Sequence, residues 1–189
     1  MIWTVLAPGP SLKQVSLKHL EGGGPVVAIN MAVLSPLHKD FWSCQDPARK
    51  FENVWQPLSL EERFSLPLVW CRGRSSLEWN NAGIRTWAHP DKEAEFREAF
   101  LPGGVKETHT TNLTILSTIS RCIGHGAKKI ILYRCDMVGV GYSFGVDSSN
   151  RNNAQWSSRW SNEPNTFQKM AKEWASRGVE IDRRSPPFD

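Results

Sequence analysis

Little in these 189 residues points to a metal centre, a disulfide frame or a membrane. The four cysteines, Cys44, Cys71, Cys122 and Cys135, are scattered and form no CxxC pair. That excludes the usual zinc spacing and a disulfide scaffold, and it suits reduced, partly buried thiols. No apolar run approaches the roughly 18–20 residues a membrane span requires. The stretch Met1–Val5 has no basic flank, so no signal peptide is expected and the chain reads as cytoplasmic. No His/Cys/Asp cluster has metal-ligand spacing, and there is neither a nucleophile elbow nor a Walker-type phosphate loop. Internal repeats and blocks of like charge are absent.

What remains is the composition of an ordinary α/β domain. The length suits a single domain spanning 1–189. With 40% hydrophobic and 22% charged residues the chain is globular rather than disordered. The net charge of +4 is mildly basic, compatible with an anionic ligand or with nucleic acid. Nine tryptophans are many for this size. Trp79, Trp87, Trp156 and Trp160 fall in polar stretches, where an aromatic side chain either stacks on a sugar or base or packs a loop onto the core.

Apolar runs mark the strands. Ile2–Ala7 is a short one, followed by a helix expected over Ser11–Leu20 and a break at Gly22-Gly23-Gly24-Pro25. The run PVVAIN ends at Asn30 and is continuous rather than alternating, as in a parallel strand covered on both faces. Asp40–Pro47 and Leu66–Gly73 read as two further strands, and Asp91–Phe100 as a short helix. Leu113, Leu116, Ile119 and Ile123 lie at helical spacing in a helix opened by Thr110 or Thr111 and stopped near Gly124–Gly126. A second clear buried strand, Lys128–Asp136, follows. Residues 137–165 show no periodicity and are expected to form a lid or acceptor-binding loop. A closing helix is predicted with Asn165 as N-cap and Gly178 at its end, then a last strand at Val179–Ile181. This alternation predicts a single Rossmann-like, doubly wound, mostly parallel sheet with helices on both faces.

In such sheets ligands bind beyond the carboxyl ends of the strands, where the strand order reverses. Those ends carry Gly9, Asn30, Asp46 and Asp136. In VLAPGPSLKQV, Gly9 allows close approach, Pro10 suits a first helical turn, and Ser11 either caps the helix or donates to a phosphate. The carboxamide of Asn30 both donates and accepts, as reading a base or ribose requires. Asp46 and Asp136 could bind ribose, act as bases or hold a metal, and they could equally cap helices. Thr110 and Thr111 offer hydroxyls and amides to a phosphate or simply cap a helix. Of the five histidines, His19, His38, His89 and His125 read as solvated, which leaves His109 as the one acid or base candidate.

The ordered series VLAPGPSL, VVAIN, QDP, TTNLTILSTIS with GHGAKKIILYRCDM, and FQKMAKEWASRGVEI resembles the Campylobacter-type bacterial sialyltransferases. It is similar as well to the related archaeal-type hydroxymethylpterin diphosphokinase group, which shares the G-x-G-P-S-L loop. The resemblance implies a metal-independent glycosyltransferase that takes a nucleotide-sugar donor and needs no cofactor. The nucleotide would lie on Gly9, Pro10, Ser11, Asn30, Thr110 and Thr111, to which the strand-end reading adds Asp46. Tyr142 would stabilise the departing phosphate; from the residues themselves, Trp156 and Trp160 of the 137–165 segment are candidates to stack on a glycan or other acceptor. No histidine follows residue 125, so Asp136, Asp147 or His109 would be the general base. The alternatives are an Mg-ATP-dependent diphosphokinase acting on a small alcohol, with Asp46 and Asp136 on Mg²⁺, and a phage-type nucleic-acid-binding or DNA-modifying protein.

Overall fold

A computed structural model describes residues 1–20, 23–89, 114–135 and 153–184. Seven strands make one sheet: β1 (Ile2–Leu6), β2 (Val26–Ile29), β3 (Phe41–Ser43), β4 (Leu68–Arg72), β5 (Thr86–His89), β6 (Lys129–Tyr133) and β7 (Glu180–Arg184). Their order is β5-β4-β3-β2-β1-β6-β7. Every neighbouring pair is parallel, with Val5 opposite both Val27 and Leu132 at the centre. β1, β2 and β6 lie inside the sheet and bury nearly every residue, as their continuous apolar sequences require. The chain winds outward from β1 to β5, then returns to place β6 on the other side of β1. The reversal of order therefore falls between β1 and β6.

Each face of the sheet carries its own core. On one face Leu6, Ala28, Trp42, Val69 and Tyr133 pack against Leu12, Met31, Phe51 and Trp79. The covering elements there are short: 3₁₀ helices at Pro10–Gln14, Asn30–Leu34 and Ala48–Phe51, α1 (Glu52–Trp55), α2 (Leu60–Ser65) and α3 (Gly73–Asn81). On the other face Val5, Val27, Ile130 and Leu132 meet Leu116 and Ile119 of α4 (Thr114–Gly124) and Phe167, Met170 and Trp174 of α5 (Asn153–Ser176). The fold is the expected Rossmann-like α/β sheet with helices on both faces. No helix among the described residues is long and apolar enough to cross a membrane.

Several local expectations are corrected. Ser11–Leu20 is not an α-helix but two 3₁₀ helices, Pro10–Gln14 and Leu17–His19. Val15 and Ser16 between them are extended, at φ/ψ of −76/129° and −124/169°. Val15 is buried in the core there with its backbone extended, so packing against the sheet divides the segment in two. β3 keeps only Phe41–Ser43 of the expected Asp40–Pro47. β5 and α3 went unassigned because each is short and polar on one side. α5 begins at Asn153, twelve residues before the expected cap, so residues 153–165 are helical. Its early turns run through a polar Asn/Ser/Trp composition and through Pro164, which a sequence reading takes as a helix boundary. Trp79 is core, not loop: it lies fully buried on α3 with Trp42 and Phe51 around it.

Candidate functional site

The carboxyl edge of the sheet gathers the residues that follow β3, β2, β1 and β6. Adjacent strands lie about 4.8 Å apart, so the chain exits at Asp46, Asn30, Gly9 and Arg134 stand in a row along that edge. Gly9 and Arg134 flank the point where the order reverses. His109, Thr110, Thr111, Asp136 and Tyr142 lie outside the described residues. Trp156 and Trp160 fall within the first turns of α5.

Gly9 adopts φ −58° and ψ 153°, an extended conformation open to any residue. Its carbonyl accepts from Leu12 N at 3.0 Å, which starts the five-residue 3₁₀ helix in which Pro10 and Ser11 lie. So short an element has far less dipole than an α-helix of several turns. The case for an anion here consequently weakens at the helix and moves to the groups around it.

Asn30 is the most unusual residue of the edge. It takes a left-handed φ of 48° directly after β2. Asparagine tolerates this region better than most non-glycine residues. Its carbonyl accepts the Trp42 indole N–H at 2.8 Å, which ties the strained backbone to the aromatic core below. Its side-chain Oδ1 is buried and has no hydrogen-bond partner among the described residues. A buried acceptor left without a donor costs about 1–3 kcal/mol. The position thus combines backbone strain with an unmet acceptor.

Asp46 is less exceptional. Its carboxylate is partly exposed and pairs with Lys50 Nζ at 2.8 Å, one helical turn on. Its backbone carbonyl accepts from Trp79 Nε1 at 3.2 Å. Among the described residues no group of three or more His, Cys, Asp or Glu could hold a metal ion.

Two clusters escaped the sequence reading. At the carboxyl ends of β6 and β7 stand Arg134, Arg183 and Arg184 beside Tyr133 and Asp182. Arg184 donates to Asp182 Oδ2 at 2.8 Å and to the Tyr133 hydroxyl at 3.3 Å, while Arg183 donates to Cys135 O at 2.7 Å. The Tyr133 hydroxyl in turn donates to His19 O, so β6 holds the end of the second 3₁₀ helix, Leu17–His19.

The second cluster sits near the opposite, amino edge. Arg121 of α4 is 3% exposed and lies over the rings of Trp70 and Trp87, 4.5 and 4.8 Å from their centroids. His125, expected in solvent, instead packs on Trp3, Trp70 and Trp87 at centroid distances of 6.0, 5.7 and 4.8 Å. Hydrophobic spacing along α4 reveals its core residues but not that Arg121 would turn inward with them.

This second cluster has a consequence for pH. Burial lowers the His125 pKa from 6.5, and the Arg121 charge lowers it further. The unfolded chain therefore takes up a proton near pH 6.5 that the folded chain accepts only at lower pH. Stability from this source is complete above about pH 6.5 and is lost as the pH falls through the folded value. Thermal melts from pH 8 to 5 should show that decline, and His125→Phe should flatten it. An unchanged slope in the variant would place the titration elsewhere.

All four cysteines are free and buried. Burial holds Cys44 well above its ordinary value and pushes Cys71 up to about 11, so neither is a thiolate nucleophile at neutral pH.

Fold and edge together define a Rossmann-like α/β protein whose strand order reverses between β1 and β6. No family model, curated protein or solved structure matched the chain.

Proposed function

We propose that the protein is a nucleotide-dependent transferase, and specifically a metal-independent glycosyltransferase that uses a nucleotide-sugar donor. The observation that carries the reading is Asn30. It is a strained residue at the carboxyl end of a central strand, with a buried carboxamide oxygen that has no donor among the described residues. A ribose hydroxyl or an exocyclic amine of a base supplies the donor that this oxygen lacks. The position of Asn30 one strand from the reversal of order is where open α/β sheets take nucleotides. The chemistry itself rests on Asp136, His109 and Tyr142, which the sequence alone nominates: a base for the acceptor hydroxyl and a hydroxyl for the departing phosphate.

A thermal-shift panel of CMP, UDP, GDP and ATP, each with and without Mg²⁺, tests this. A nucleotide at about a hundred times its Kd should stabilise the fold by roughly 2.7 kcal/mol. Asn30→Ala should weaken that nucleotide roughly three- to tenfold, the worth of one hydrogen bond. Asn30→Gly, which suits the left-handed backbone, should lose the same affinity without the strain cost of alanine. If none of the four shifts the melt, or if both variants respond like the parent, the nucleotide site is not at Asn30. Stabilisation that appears only with Mg²⁺ would favour diphosphoryl transfer over the metal-free reaction.

A further inference from the structure

We propose that Arg134 is a positioning residue for the anionic part of the ligand, a buried cation that holds the loop after β1 and sets the potential at the carboxyl edge between β1 and β6. The proposal rests on the nucleotide reading of that edge. Arg134 immediately follows β6, across the reversal of order from the β1 exit. Its Nη2 donates to Gln14 Oε1 at 3.1 Å, which ties the guanidinium to the last residue of the 3₁₀ helix Pro10–Gln14. Its backbone N–H donates to Arg184 O at 3.3 Å, continuing the β6–β7 ladder by one residue.

Two features make arginine a costly choice at this position. The backbone is left-handed at φ 64°, a region in which a side chain is disfavoured and glycine is at ease. The residue is also only 1% exposed, so a permanent charge has been taken out of water. A glycine would relieve the first cost, and an apolar residue the second. Strain and buried charge at one residue are features that concentrate at functional sites. What arginine uniquely supplies is a positive charge that does not titrate, together with a planar fork that can hold a loop. Placed in a low-dielectric setting, that charge acts over a longer range than it would in water. The neighbouring residues point the same way. Arg183 and Arg184 end β7 beside it, with Asp182 engaged by Arg184.

The test separates the anionic part of a ligand from the rest. Cytidine, CDP and inorganic pyrophosphate are titrated at constant ionic strength into the parent, Arg134→Gln and Arg134→Lys. The glutamine variant can still bond Gln14 but carries no charge. It is expected to bind CDP and pyrophosphate roughly tenfold more weakly, to bind cytidine as the parent does, and to regain most of the loss as lysine. Should Arg134→Gln not fold, Arg134→Gly relieves the left-handed backbone and takes its place in the same titrations.

Equal weakening of cytidine and CDP would overturn the proposal, because it would mark Arg134 as a structural peg. So would failure of the lysine variant to restore CDP binding, or no response of the parent to either anion. Binding of pyrophosphate that depends on Arg134, with no nucleoside or nucleotide bound by the parent, would uphold the cationic role while sinking the nucleotide reading.

Discussion

Replacing Trp42 by alanine should remove about 3–5 kcal/mol of stability, a large part of the roughly 5–15 kcal/mol that holds a domain of this kind together. Trp42 is fully buried on β3 and meets Trp79 and Phe51 edge-on, at centroid distances of 4.8 and 5.5 Å. The two partners come from α3 and from the 3₁₀ helix Ala48–Phe51, so the cavity would open where three elements meet. Urea denaturation monitored by far-ultraviolet circular dichroism is the measurement, since the emission of so many tryptophans would confuse a fluorescence readout. Trp42→Phe divides the effect. It keeps an aromatic ring in the core but deletes the indole N–H that donates to Asn30 O. Its stability loss should be about 1–2 kcal/mol, the smaller part of the alanine effect. Nucleotide binding should nevertheless weaken, because the left-handed backbone of Asn30 loses its anchor. A phenylalanine variant with native ligand response would detach the site from the aromatic core.

Gly24→Ala is expected to be nearly as damaging for a different reason. A Cβ at position 24 would lie 1.8 Å from Ile2 O and 2.9 Å from Ile2 C, both backbone atoms that no side-chain rotation can clear. The contact sits just before β2, beside the hydrogen bond from Thr4 N to Pro25 O at 2.9 Å. Adding the methyl group must spread the amino ends of β1 and β2, at the centre of the sheet, at a cost of about 3 kcal/mol. Gly126→Ala serves as the comparison. There φ is 86° but a Cβ would meet nothing within 4 Å, so only backbone strain of about 1 kcal/mol applies. Paired denaturant titrations should therefore rank position 24 well above position 126. Equal losses at the two sites would mean that close packing of β1 on β2 does not limit position 24.

The sheet was legible where burial is complete. VVAI and the IILY of β6 are continuous apolar runs of strand length, as suits strands covered on both faces. Short polar edge elements left no comparable trace. β5 spans four residues, and Trp87 on it is 44% exposed, so neither length nor patterning marks it as a strand. The helix expected after β1 failed because Leu12 and Val15 have spacing that fits either helix type. Only packing against the sheet decided for two 3₁₀ pieces.

Residue type and local order along the chain were enough to specify a parallel α/β protein and to nominate the strand ends, Gly9, Asn30 and Asp46 among them. Those properties follow from periodicity and from turn chemistry, which act over a few residues. The sequence did not determine that β6 returns beside β1, which residue would be left-handed, or which arginines would be buried. These depend on contacts between segments well separated along the chain, such as Asn30 with Trp42, Arg121 with Trp87, Arg134 with Gln14 and Tyr133 with His19. A local pattern cannot encode the partner a side chain meets across the sheet. Asn30 was therefore visible as a polar residue at a strand end, while its strain and its unmet acceptor emerged only once the sheet had closed around it.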